Sequence, residues 1–248
     1  MSPLESTEYP LLLGLDTSTS VTSIAIARGE RVLFSTTHQQ EDRRSESLWL
    51  DLKSDLDHCG VSLNQVDGFV VCLGPGAFTG LRVGVAAIKG LSLATGKPAA
   101  GISSLEASAF AANRTGLVCA LVNAYKGEVY SQMFSFDERG APVALNEALV
   151  STSTAAIERV ADVRSLTFAG DAVGAFEALI LGAAEGGEWT LAGSKPLAES
   201  LVKLAVRKRE VWRAALKACY IRPAEAEVKL AAGLLGSKIK RTLSGDQI

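Results

Sequence analysis

The chain has 248 residues, 48% of them hydrophobic and 21% charged, with a formal net charge of −2. A globular chain of this size buries roughly 70–75% of the surface that its unfolded form exposes, so its core needs no staples. The near-neutral balance excludes an overall basic field that would recruit nucleic acid or an anionic membrane surface.

In chain order, "LLLGLD" (11–16) predicts a buried strand, and the hydroxyl-rich "TSTS" after it predicts a turn. "VTSIAIA" alternates like a second strand, "RGE" turns, and "RVLFSTT" is a third. "SESLWLDLKSDLDHCG" predicts a helix, with Ser45 as N-cap, Gly60 past its end, and Leu48, Leu52, Leu56 and Cys59 at helical spacing beside Trp49. "DGFVVCLG" predicts a strand, "LRVGVAAIKGLSLATG" a helix, "PAAGIS" a strand and "LEASAFAAN" a helix.

The second half repeats that order. "GLVCALVN" and "EVYSQMFSF" are strands, "APVALNEALV" a third, and "STAAIERVADV" a helix. A short strand "LTFAG" and a further helix follow. Asp16 and Asn123 each end the first strand of their half. Two similar α/β domains are expected, spanning 1–113 and 114–248, each a mixed sheet with flanking helices and the second reduced. From Pro196 onward helical patterns dominate: "LVKLAVRKREVWRAALKA" sets Lys203, Arg207, Lys208, Arg209 and Arg213 between apolar residues. That basic stripe either touches RNA phosphates or is a solvated face whose stems cover apolar surface.

No run approaches the ~20 apolar residues of a membrane span, and "YPLLLGL" is too short and too acidic in its flank for a signal peptide. The four cysteines, Cys59, Cys72, Cys119 and Cys219, form no CxxC pair, which predicts a reducing, cytoplasmic setting. The two histidines, His38 and His58, make neither HExxH nor HxxxH, so no metal site is expected.

Two loops have phosphate-binding character. In "LGLDTSTS", Asp16, Thr17, Ser18 and Thr19 either cradle phosphate oxygens with a carboxylate near Mg²⁺ or bond their own backbone as a polar turn. "GPGAFTGLRVG" contributes Gly74, Gly76, Thr79 and Gly80 at a helix start, but it matches neither GxxxxGK[ST] nor GxGxxG. It either favours an anion or only shapes the chain. In the helix that follows, Gly84 and Gly90 together cost about 2 kcal/mol against alanine, which something must offset. Val83, Ala87, Gly90 and Ala94 form a small-residue strip opposite Leu81, Val85 and Ile88. Such a strip would admit the 45–59 helix at close range, and the pair would offer an apolar surface to another chain, unless both are core.

"LLLGLDTSTSVTSIAI", "GPGAFTGLRVGVAAIKGLSLATGKPAAGISSLEA" and "GEVYSQMF", with fainter echoes at "FAGDAV" and "YIRP", resemble the TsaB (YeaZ) family. The resemblance implies the actin-like, ribonuclease-H-like two-domain fold of sugar kinases and heat-shock chaperones. It implies a subunit that is not catalytic alone and that pairs with a metal-bearing paralogue, TsaD. That paralogue transfers a threonylcarbamoyl group to tRNA adenosine, with the ATPase TsaE as third component. It also implies a homodimer in isolation, tRNA reached only through the complex, and a nucleotide loop that is a remnant or binds ATP or ADP weakly. Leu48, Trp49, Leu52, Val83, Ala87, Gly90 and Ala94 would lie near the partner interface. The chain departs from the family pattern at Arg44, at Asn123 and Tyr125, and at Ala218, and loss of a carboxylate at Asn123 argues against nucleotide hydrolysis. The competing expectations are a stand-alone ATP-dependent phosphotransferase or peptidase, and a purely structural homodimer.

Overall fold

The computed structural model describes residues 9–39, 46–184, 186–213, 215–219 and 221. Its first sheet has five strands in the order β3-β2-β1-β4-β5: β1 Leu11–Asp16, β2 Val21–Arg28, β3 Arg31–Gln39, β4 Gly68–Gly74 and β5 Ala99–Ser103. The hairpin strands β1, β2 and β3 are antiparallel, while β4 runs parallel to β1 and β5 parallel to β4. The second sheet comprises β6 Val118–Asn123, β7 Glu128–Phe136, β8 Pro142–Ala144, β9 Leu149–Thr152, β10 Ser165–Ala169 and β11 Glu188–Ala192. Its order β11-β10-β6-β7-β8, with β9 also on β7, reproduces the first sheet: β6 and β7 antiparallel, β10 parallel to β6, β11 parallel to β10. This is a duplicated α/β fold of two mixed sheets with flanking helices.

β1 is apolar without alternation because both its faces are covered. Leu11, Leu13 and Leu15 join Ile24, Ile26, Phe69 and Val71 on one face. Helices α1 Glu46–His58 and α2 Phe78–Thr95 cover that side through Leu48, Leu52, Val85 and Ile88. On the other face Leu12, Ala25 and Val70 meet helix α6, Ala198–Arg207, through Leu201, Val202 and Leu204. The approach is so close that a Cβ on Gly14 would stand 2.8 Å from the Ala198 carbonyl oxygen. Burying each of those α6 side chains is worth about 1.5–3 kcal/mol, which explains why the chain's later part returns to its first sheet. Helix α3, Ser104–Ala111, sits between the sheets: Ala107 packs with the α6 cluster, while Leu105 and Ala109 pack against Val118, Ala120 and Val122 of β6. Helices α4 Ser153–Glu158 and α5 Glu177–Ala183 cover the outer face of the second sheet around Phe168.

Three local expectations need correction. The helix expected across 201–218 stops at Arg207; a 3-10 turn, Arg209–Arg213, follows. The turn is pinned by Trp212, whose indole N–H donates to the Ala205 carbonyl at 2.8 Å and whose ring lies over Gly68. Leu216 and Ala218 then cross to the α1–α2 side, and the Cys219 N–H donates to the Leu73 carbonyl at 2.7 Å. The third strand of the second half divides into β8 and β9, and β11 ("EWTLA") was not anticipated. Ser45, expected as an N-cap, Arg44 and the end of the chain from 222 lie outside the described residues.

Candidate functional site

The two sequence-predicted loops meet each other. Between β1 and β2 the carboxylate of Asp16 accepts the Ser18 N–H at 2.8 Å, closing a tight Asx turn. The Thr17 hydroxyl donates to the Gly80 carbonyl at 2.7 Å, and the Ala77 N–H donates to the Ser18 carbonyl at 2.7 Å. The glycines permit this contact. A Cβ on Gly76 would stand 2.3 Å from the Ser18 carbonyl oxygen, one on Gly80 2.0 Å from the Thr17 carbonyl oxygen, and one on Gly84 2.3 Å from the Thr17 hydroxyl. Asp16, Thr17, Ser18 and Gly74 are buried, Thr19, Gly76 and Gly80 are half-buried, and Thr79 is exposed on the first turn of α2. Gly76, Gly80 and Gly84 therefore serve close packing of one loop on the other, and the offset to the helical cost of Gly84 is found there.

Asp16 also lines the cleft between the sheets, a space of about 270 Å³ shared with Thr19, Thr37, Ser108, Asp171 and Lys195. Asp171 was missed by sequence reasoning, although the "FAGDAV" echo contains it. Its carboxylate accepts the Asn123 N–H at 2.9 Å. The Asn123 side chain is turned to its own loop, accepting the Tyr125 N–H at 2.7 Å. Burial pushes the Asp16 carboxyl above its ordinary range, the Ser18 hydrogen bonds oppose this, and the charge of Asp171 adds to it. Burial likewise raises Asp171, against the backbone N–H groups that favour its charged form. The family resemblance implies that the Asp16–Thr19 loop is a remnant or binds ATP or ADP weakly. A cation bridging both carboxylates to phosphate would suit the pair only with both ionised, the form that desolvation disfavours. Among the described residues no group of three or more His, Cys, Asp and Glu stands together as a metal site.

The second set of predicted residues lies on α1 and α2. Leu48, Leu52 and Ala87 are buried in the chain's own core, at 6%, 4% and 5% exposure, and Val83 is half-buried against it. Gly90 and Ala94 are exposed, as is Trp49 at 48%. Between the helices a groove of about 320 Å³ opens, lined by Leu13, Trp49, Leu52, Leu56, Leu63 and Leu91. Two further exposed apolar side chains on these helices were missed: Leu50 on α1, 71% exposed, and Leu93 on α2, 85% exposed. Both lie just outside the periodic positions from which sequence reasoning chose its residues. A Cβ on Gly90 would meet nothing within 4 Å. Unlike Gly84, Gly90 has no partner among the described residues that would account for a glycine.

The basic stripe is largely neutralised. Lys203 pairs with Glu199 at 3.7 Å, Lys208 with Glu106 at 2.6 Å, and Arg207 grips Glu30 through two nitrogens at 2.8 and 2.6 Å. No helix among the described residues is long and apolar enough to cross a membrane.

Comparison with known proteins follows the same lines. A sequence model of the family described as "TsaD: tRNA N6-adenosine threonylcarbamoyltransferase" matches residues 39–228. The chain is 37% identical over 123 residues to the tRNA threonylcarbamoyladenosine biosynthesis protein TsaB of Haemophilus influenzae. That match covers 48% of this chain and 51% of the relative, so the chain spans about half the length of the curated protein it matches. It is 30% identical over 116 residues to the tRNA N6-adenosine threonylcarbamoyltransferase of Thermosipho africanus, covering 41% of this chain and 35% of that protein. Among solved structures, YeaZ from Pseudomonas aeruginosa superposes with a TM-score of 0.68 at 28% identity, covering 87% of this chain and 99% of that one. The chain belongs to the family of that model, among its TsaB (YeaZ) members.

Proposed function

We infer that this chain acts in tRNA threonylcarbamoyladenosine formation as a non-catalytic subunit, holding a catalytic paralogue of the TsaD kind through the exposed surface of α1 and α2. The observation that carries this reading is Gly90. An interior helical glycine costs roughly 1 kcal/mol against alanine, and among the described residues no group lies where its side chain would be. A small residue is of use there if the backbone of another molecule approaches closely. Leu93, one turn along the same helix, and Trp49 and Leu50 on α1 are exposed apolar side chains of the kind that marks association surfaces. The similarity to both a TsaB protein and a transferase supports a pairing between relatives. In that assembly TsaE joins as third component, tRNA is bound chiefly by the complex, and a homodimer forms through the same surface when the paralogue is absent.

The test is reconstitution. The transferase paralogue, its ATPase and unmodified tRNA are assayed for threonylcarbamoyl incorporation with and without this chain. Incorporation that needs the chain, and that survives Asp16→Ala, supports a non-catalytic partner. Incorporation at full rate without it contradicts the reading, and loss on Asp16→Ala in a folded variant would move the chain into the enzyme class.

A further inference from the structure

A depression of about 540 Å³ on the side of the molecule bearing the C-terminal end of α6 is lined by Glu30, Arg139, Val206, Arg207 and Arg209. It joins three parts of the chain: the β2–β3 turn, the β7–β8 turn and the residues just after α6. Three guanidinium groups face one carboxylate there.

Arg207 is fixed. It holds Glu30 bidentately, donates to the Arg139 and Gly140 carbonyls at 2.8 and 3.3 Å, and stacks over Phe110 with its guanidinium 4.9 Å from the ring centroid. The one carboxylate of the depression is therefore spent on Arg207, and the Glu30 carboxyl is drawn below its ordinary range by that hydrogen bond. Arg139 and Arg209 are exposed, and among the described residues neither guanidinium has an ion-pair partner. The nearby Asp137 carboxylate is occupied by the Arg139 and Ala141 N–H groups. Within the depression itself three guanidinium groups stand against one carboxylate, two of them with unspent donors, while Asp137, Glu138 and Glu210 stand beside it in the chain. Guanidinium forks match phosphate oxygens in geometry as well as charge.

We propose that this depression is a phosphate-binding site, with Arg139 and Arg209 as its ligating side chains, and that the phosphates are those of an RNA backbone. The choice of RNA over a free nucleotide rests on the function proposed above. The site lies on different elements from the α1–α2 groove, so RNA and the protein partner can be held together.

The experiment uses the full chain and the Arg139→Ala/Arg209→Ala double variant, with folding checked by circular dichroism and thermal midpoint. Fluorescence anisotropy measures binding of labelled, unmodified tRNA over a range of salt concentrations, and a parallel titration uses ATP without RNA. The expected result is salt-dependent tRNA binding by the parent, weakened about tenfold at low salt in the variant. The slope of log K against log salt should fall by roughly 1.5–2, as two lost phosphate contacts require. An unchanged slope and affinity in the variant, or no salt-dependent binding by the parent, overturns the proposal. Loss of ATP binding in the variant with tRNA binding intact overturns the RNA assignment. The Arg139→Ala/Arg209→Ala variant should keep the parent's affinity for the transferase paralogue in isothermal titration, so failure of the docking surface and failure of this site are read separately.

Discussion

The Thr17 hydroxyl donates to the Gly80 carbonyl at 2.7 Å, and the Thr17 carbonyl oxygen stands where a Gly80 side chain would begin. The contact joins the first hairpin turn to the first turn of α2, so the orientation of α2 is tied to the strand that carries Asp16.

Gly80 and Gly90 should respond oppositely to alanine. At Gly80 the new Cβ meets backbone 2.0 Å away, which cannot rotate aside, so the clash outweighs the better helix propensity. Gly80→Ala should lose about 1–3 kcal/mol in urea unfolding. Gly90→Ala meets open space and should gain up to about 1 kcal/mol. Equal effects at the two positions would contradict the packing account.

Trp212 should matter to the whole first sheet although it lies far along the chain. It is 9% exposed, caps the α6 cluster and lies on Gly68. Trp212→Ala should cost about 3–5 kcal/mol in denaturant unfolding. A change under about 1 kcal/mol would mean that the segment after α6 is not part of this core.

The cleft carboxylates should make stability fall as pH rises. The folded pKa of Asp16 lies above its unfolded value, chiefly through burial, so the native state holds the proton more firmly than the unfolded chain. The penalty is absent below the unfolded pKa and complete above the folded one. Asp16→Asn keeps an oxygen for the Ser18 N–H and carries no charge. Its thermal midpoint should exceed the parent's at about pH 7 and converge with it toward about pH 4. A difference independent of pH would show that burial of charge is not the cause.

Local pattern made most elements legible. The alternation of Val21–Arg28, the helical spacing of Leu48, Leu52 and Leu56, and the repeated strand order all read directly from the chain. What escaped depends on residues distant in sequence. Asp171 acquires meaning only when β10 and β1 end at one cleft. The packing of α6 on β1 requires a contact between Gly14 and Ala198 that no periodicity encodes. The small-residue strip does not form one surface: Ala87 is buried in the apolar cluster shared with Leu48 and Leu52 of α1, while Gly90 is exposed. A short strand such as "EWTLA" has too few residues to establish a period, and pairing with β10 is what fixes it.

The central claim is that the α1–α2 surface docks a transferase relative, and affinity between the purified chains tests it most directly. Isothermal titration of the paralogue into the parent and into Gly90→Leu, whose added side chain meets no atom of the described residues within 4 Å at the Cβ, separates docking from folding. The account predicts an unchanged thermal midpoint and a loss of affinity of at least about 100-fold, the scale of a central interface position. Equal affinity of the two proteins for the paralogue would contradict it.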